Sequence, residues 1–180
     1  QHWIMDDDRY DKGDLCSHGE VYLRIADEVI ISEKDGSYTL SATALYLLRS
    51  LDENCDYESF GSQIVPCCGN LLVPSSNNED YVVICGCPFG FDWKIEHIAG
   101  NVLFTSENGT KGKLDFETYR KMVIDFAKDV QLFYQPKLKV LPDDEFELNG
   151  FNQFWNEWHT LMNKWSYLEP TAFLCNYLAI

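Results

Sequence analysis

Between positions 116 and 133 the apolar residues recur every three or four places: Phe116, Tyr119, Val123, Phe126, Val130 and Phe133. That spacing puts all six on one side of an α-helix and demands another surface to cover them. The helix is expected over about 115–135. Asp115 is placed to cap its first amides, and Glu117 to Lys121 is an i,i+4 pair for its exposed side. A second stripe, Leu148, Phe151, Trp155, Trp158, Met162 and Trp165, predicts another one-sided helix over roughly 143–165. Gly150 weakens that helix or marks where it begins. Pro136 and Pro142 bracket a short extended linker between the two.

The covering surface is expected from upstream, where the period changes from 3.6 to 2. Over 20–32, Val21, Leu23 and Ile25 alternate with Tyr22, Arg24 and Ala26, Val29, Ile30 and Ile31 follow, and Asp35-Gly36 turns the chain. Further strands are expected over 63–73 and 81–87, with a hairpin over 93–98 and 101–106 across Ala99-Gly100. A short helix over 41–51 interrupts the series. Ser41 is its expected N-cap, Leu40 and Leu45 a hydrophobic staple, and Leu45, Leu48 and Leu51 its buried face. The expected fold class is α+β: an antiparallel β-meander sheet packed with a short helix and two longer C-terminal amphipathic helices. A length of 180 residues fits one domain, with 1–18 as a loose N-terminal arm and 19–180 globular. The apolar tail, 166–180, is expected to dock or to cover a sheet edge.

Charge narrows the partners. Lys and Arg total 14 against 29 Asp and Glu, a net charge of -15, so the counterion release that drives nucleic-acid binding is unavailable and an anionic membrane repels the chain. A basic partner is favoured. Seven cysteines are too few and too odd in number for a disulfide-stapled secreted scaffold, which points to the reducing cytoplasm. No apolar run approaches membrane-spanning length, and the first residues are acidic where a secretory leader would be basic.

Motifs for chemistry are sparse. Cys67, Cys68, Cys85 and Cys87 lie in strand-like surroundings. Four thiolates would make a zinc site, but adjacent strand residues such as Cys67 and Cys68 point to opposite faces; only Cys85 and Cys87 share one. Small buried hydrophobes are the expected reading, with a cysteine-cluster zinc protein or enzyme as the alternative. The histidines at 2, 18, 97 and 159 form no ligand pair, and the glycines form no phosphate-binding fingerprint. The carboxylate clusters sit in polar loops or at a helix start, which suits solvent and the helix dipole better than acid–base work. No catalytic residue and no cofactor are therefore expected.

Four segments carry a resemblance: residues 40–51 (LSATALYLLRSL), 64–69 (IVPCCG), 86–93 (GCPFGFDW) and 154–159 (FWNEWH). They resemble segments of small bacterial immunity proteins from polymorphic toxin and contact-dependent growth inhibition systems, over roughly 19–165. The resemblance implies a non-enzymatic protein that binds and neutralises a cognate toxin domain, often a basic nuclease, as a monomer in a 1:1 complex; the absence of direct nucleic-acid or membrane contact is expected from the net charge. The segments look structural, and the resemblance hands on no interface residue. From charge alone, the expected contact residues lie in the acidic loops: Asp52, Glu53, Asp56, Tyr57, Glu58, Glu79 and Asp80.

Overall fold

The structure, a computed structural model, describes residues 13–56, 63–68, 71–76, 81–86, 89–134 and 139–166, and the backbone of 2–5. In chain order the elements are β1 (His2–Met5), β2 (His18–Ile25), β3 (Glu28–Ile31), β4 (Ser37–Thr39), α1 (Leu40–Arg49), β5 (Val65–Pro66), β6 (Leu71–Pro74), β7 (Val82–Cys85), β8 (Gly90–Phe91), β9 (Trp93–Ile98), β10 (Asn101–Ser106), β11 (Lys111–Asp115), α2 (Phe116–Tyr134) and α3 (Glu145–Ser166). This is the expected α+β class with three helices. All strand pairs are antiparallel, and the strands divide among four sheets: β1 to β4 around a central β2, β5 with β8, β6 with β7, and β9–β10–β11.

At the centre lies α1. Every one of its residues except Tyr46 is buried, and it touches β2, β5, α2 and α3. Ser41, Ala42 and Ala44 are small enough to let neighbours close in, and Leu40, Leu45 and Leu48 fill the space between them with no exposed surface. Each such leucine contributes about 1.5–3 kcal/mol by burial. Its N-terminus differs from expectation. The helix begins at Leu40, and Ser41 Oγ instead accepts from the backbone N–H of Ser17, 3.1 Å away. The Leu40 N–H donates to the Ser17 carbonyl at 2.8 Å. Residues before 18 are therefore not simply a loose arm: β1 pairs with β2, and Cys16 and Ser17 are buried.

The single strand expected over 20–32 is a hairpin. It reverses at Ala26-Asp27, with Ala26 at a positive φ of 49°. The hairpin at Ala99-Gly100 forms as expected, and φ values of 48° and 79° at its two turn residues give the primed turn that matches strand twist. Strand β11, unread in the polar stretch Lys111-Gly112-Lys113, exists because β10 offers it a ladder.

Helix α2 buries the predicted stripe, with Tyr119, Val123, Phe126 and Val130 inside, and Asp115 caps it by accepting from the Thr118 N–H at 2.9 Å. The surface pairs are Lys121 with Asp125 and Arg120 with Glu117, in place of the expected Glu117–Lys121 pair. Helix α3 lies across β6. Gly150 is a packing requirement there, because a Cβ would stand 1.7 Å from the Leu72 carbonyl oxygen. One turn on, the Gln153 amide exchanges two hydrogen bonds with the Ser75 backbone, at 2.8 and 3.3 Å, and so extends the edge of β6. Trp158, fully buried, donates from Nε1 to Gln131 Oε1 of α2 at 3.3 Å. The tail over 167–180 lies outside the described residues.

The four segments quoted above meet in pairs. Residues 65–66 and 90–91 form the β5–β8 ladder, where a Cβ on Gly90 would approach the Val65 carbonyl to 2.6 Å. The other two are joined by a buried ion pair. Arg49 donates from Nε to Glu157 Oε1 at 2.6 Å and from Nη2 to Oε2 at 2.8 Å. Backbone closes the group, since Arg49 Nη2 also reaches the Val82 carbonyl at 2.6 Å and the Val82 N–H donates to Glu157 Oε2 at 2.8 Å. The Tyr81 ring covers the guanidinium, 3.9 Å from Cζ. Burial opposes the charge on Arg49, but the Glu157 carboxylate raises its pKa in spite of that. All four segments are thus parts of the scaffold.

Candidate acidic interface

After α1 the chain leaves Leu51 buried and sets Asp52, Glu53 and Asp56 in solvent. This loop is anchored to β9 at several points. Cys55 and Ile95 exchange backbone hydrogen bonds at 2.9 Å each, the His97 N–H donates to Asn54 Oδ1 at 2.8 Å, and a His97 ring nitrogen sits 2.8 Å from the Ser50 carbonyl. The acids are consequently presented on a fixed frame rather than on a free loop.

Two further carboxylates join them through strand register. Trp93 of β9 pairs with Ser106 of β10, so the residues just beyond each strand end, Asp92 and Glu107, face one another. Asp92 is half-buried, and its carboxylate accepts from the Trp93 N–H at 2.9 Å and from the Ile64 N–H. Burial raises its pKa to about 6 against those two hydrogen bonds, and the charges of Glu107 and Asp56 push it the same way. The Cys55 thiol nearby is lifted to about 11, by burial first and then by Glu53, Asp92 and Asp56. Glu53, Asp56, Asp92 and Glu107 therefore act on one region, and none of Glu53, Asp92 and Glu107 has a Lys or Arg partner among the described residues.

Of the residues expected to bind a partner, Glu53 and Asp56 belong to this cluster. Asp52 stands at its edge and is paired with Lys164 at 2.5 Å. Tyr57, Glu58, Glu79 and Asp80 lie outside the described residues. Asp92 and Glu107 were not expected. Each stands alone among apolar or polar neighbours in the chain, and only the β9–β10 register brings them together.

The cysteine reading needs correction. Cys67 and Cys85 are exposed and Cys68 is half-buried, so these three are not small core residues. Cys85 stands opposite Leu71 in the ladder, on the outward face, while Val82 and Ile84 take the inward positions. Among the described residues the buried cysteine is Cys16, whose thiol is pushed up to about 12, chiefly by burial. Cys87 lies outside the described residues. Among the described residues no three His, Cys, Asp or Glu side chains converge as a metal site would require, and no helix is long and apolar enough to cross a membrane.

Set against known proteins, the chain matches no family model, no curated protein and no solved structure.

Proposed function

We propose that this chain is an immunity protein that binds and neutralises a basic, nuclease-type toxin domain through the acidic face around Cys55. The observation that carries the reading is the convergence of Glu53, Asp56, Asp92 and Glu107 on an anchored frame, with Asp92 held near pKa 6. Like charges gathered at one place cost folding free energy, and a cationic partner removes that cost on binding. In such a complex the carboxylates stand where substrate phosphates would, and accept from the Arg and Lys side chains of the nuclease cleft.

The test is a tagged pull-down from the producing strain at low and moderate salt, with the bound proteins identified by mass spectrometry. A basic toxin domain is expected in stoichiometric amount, lost as salt rises. Reversal of Glu53, Asp56 and Glu107 to Lys is expected to slow its association by at least about tenfold at low salt. Unchanged affinity in that triple variant would sink the electrostatic mechanism, and recovery of no protein would sink the immunity reading itself. Affinity is also expected to rise between pH 5 and 7, as Asp92 loses its proton.

A further inference from the structure

The strands β2 and β11 belong to different sheets, and a cleft of about 500 Å³ opens between the tip of β2 and β11. Trp93 and Phe104 of the β9–β10 hairpin line it from the sheet side, and Met122 and Val123 line it from α2. Its shape follows from local features. A bulge between Leu23 and Arg24 and the positive φ at Ala26 bend the end of β2. At Gly112 the two strands come so close that a Cβ would stand 3.0 Å from Ile25 Cγ2.

The charge of this cleft is opposite to that of the molecule. Arg24, Lys111 and Lys113 line it, and no acidic residue does among the described residues, in a chain with 29 Asp and Glu. The three cations make no ion pair or side-chain hydrogen bond among the described residues. Two of the acids beside the cleft in sequence are committed elsewhere: Glu28 accepts from Ser106 and Asn108 at 2.5 Å each, and Asp115 caps α2, while Asp27, next to Ala26, is exposed. A concave, mainly apolar space of this size with a few charged groups at its lining is the usual form of a small-molecule site.

We propose that this cleft binds an amphiphilic carboxylate, a single apolar chain lying against Leu23, Leu114 and Met122 over a floor of buried Trp93, Phe104 and Val123, with its head group at the rim beside Arg24, Lys111 and Lys113. The apolar walls supply the affinity for the chain. The cations select an anionic head group, since a carboxylate accepts charge-assisted hydrogen bonds from them that an alcohol of equal length cannot match. This site is independent of the acidic face, which no cleft residue adjoins in sequence except Trp93.

The experiment is a calorimetric titration of the full chain with dodecanoate below its micelle concentration, with dodecanol and a dodecyl trimethylammonium salt as comparators. Dodecanoate is expected to bind 1:1, at least about tenfold tighter than dodecanol, with no saturable binding of the cation. The triple variant Arg24→Gln, Lys111→Gln, Lys113→Gln, all exposed positions, is expected to lose that preference and still bind dodecanol. Met122→Trp, which fills the cleft from its exposed rim, is expected to weaken both ligands. Equal affinity for dodecanoate and dodecanol in the unmodified protein, dodecanoate binding undiminished in the triple variant, or no binding of dodecanoate at all would each overturn the proposal.

Discussion

Charge is handled in opposite ways at the Arg49–Glu157 junction and at the acidic face around Cys55. At the junction two opposite charges are buried, with side-chain exposures of 7% and 5%, and their polar atoms are matched to one another and to the Val82 backbone. At the face, charges of one sign gather at the surface and the described residues supply no cation to Glu53, Asp92 or Glu107. The difference separates two uses of a carboxylate. One that is desolvated and fully bonded holds elements together, because its loss strands its partner. One crowded by its own kind works against the fold and is at its most stable beside an external cation.

The largest effect should come from breaking the junction. Glu157→Ala leaves the Arg49 guanidinium buried without its counter-charge, beside the Val82 carbonyl and the Tyr81 ring, and is expected to cost about 3–5 kcal/mol in urea unfolding. The double variant Arg49→Met, Glu157→Leu removes both charges together and should cost much less than Glu157→Ala alone. A double variant as unstable as the single one would show that the group is needed for its shape and not for its pairing.

Next in size is Gly150→Ala. Its Cβ would overlap the Leu72 carbonyl, so α3 must lift from β6, at a cost of about 3 kcal/mol. A helix-propensity gain from Ala is the contrary expectation, about 1 kcal/mol of stabilisation. Thermal unfolding separates the two by sign.

On the acidic face the sign reverses, and replacement stabilises. Asp92 has a folded pKa of about 6 against an ordinary 3.8, so between those values the folded state keeps a proton that the unfolded chain has released. Stability contributed by this group therefore falls as pH rises through that window, and above it Asp92 is a net cost. Asp92→Asn is expected to raise stability at pH 7 by about 1–2 kcal/mol, a figure reduced from the full linkage value because the group is partly solvated. The gain should fade as pH falls from 6 toward 4 and vanish below about pH 3, where both states of the parent are protonated. A gain that persists there would assign the effect to hydrogen bonding instead of charge.

The smallest effect belongs to the Asp52–Lys164 pair, which lies in solvent. Asp52→Ala should change stability by less than about 1 kcal/mol, and less again in high salt. An effect as large as that of Glu157→Ala would erase the contrast between the two regions.

Much of the scaffold was legible in the residues themselves. The stripe from Phe116 to Val130, the Asp115 cap and the Trp93–Ser106 hairpin follow from periodicity and turn chemistry, which act within a few residues of chain. The same local rules erred where a distant contact won. Ser41 accepts from Ser17 instead of capping its helix, and β11 forms on polar residues because β10 lies beside it. The acidic site was half legible. Glu53 and Asp56 stand in a run of acids that any reading of charge would mark, but Asp92 and Glu107 are 15 residues apart in sequence and opposed only by register.

What the sequence by itself determined is the list of amphipathic elements and the sign of the net charge, because both depend on residue identity at short range. The tertiary structure alone decided which charges meet: Arg49 with Glu157 across 108 positions, Asp92 with Glu107 across a hairpin, and Arg24 with Lys111 and Lys113 between two sheets. Electrostatic interaction falls with distance and burial, quantities that only the folded chain possesses.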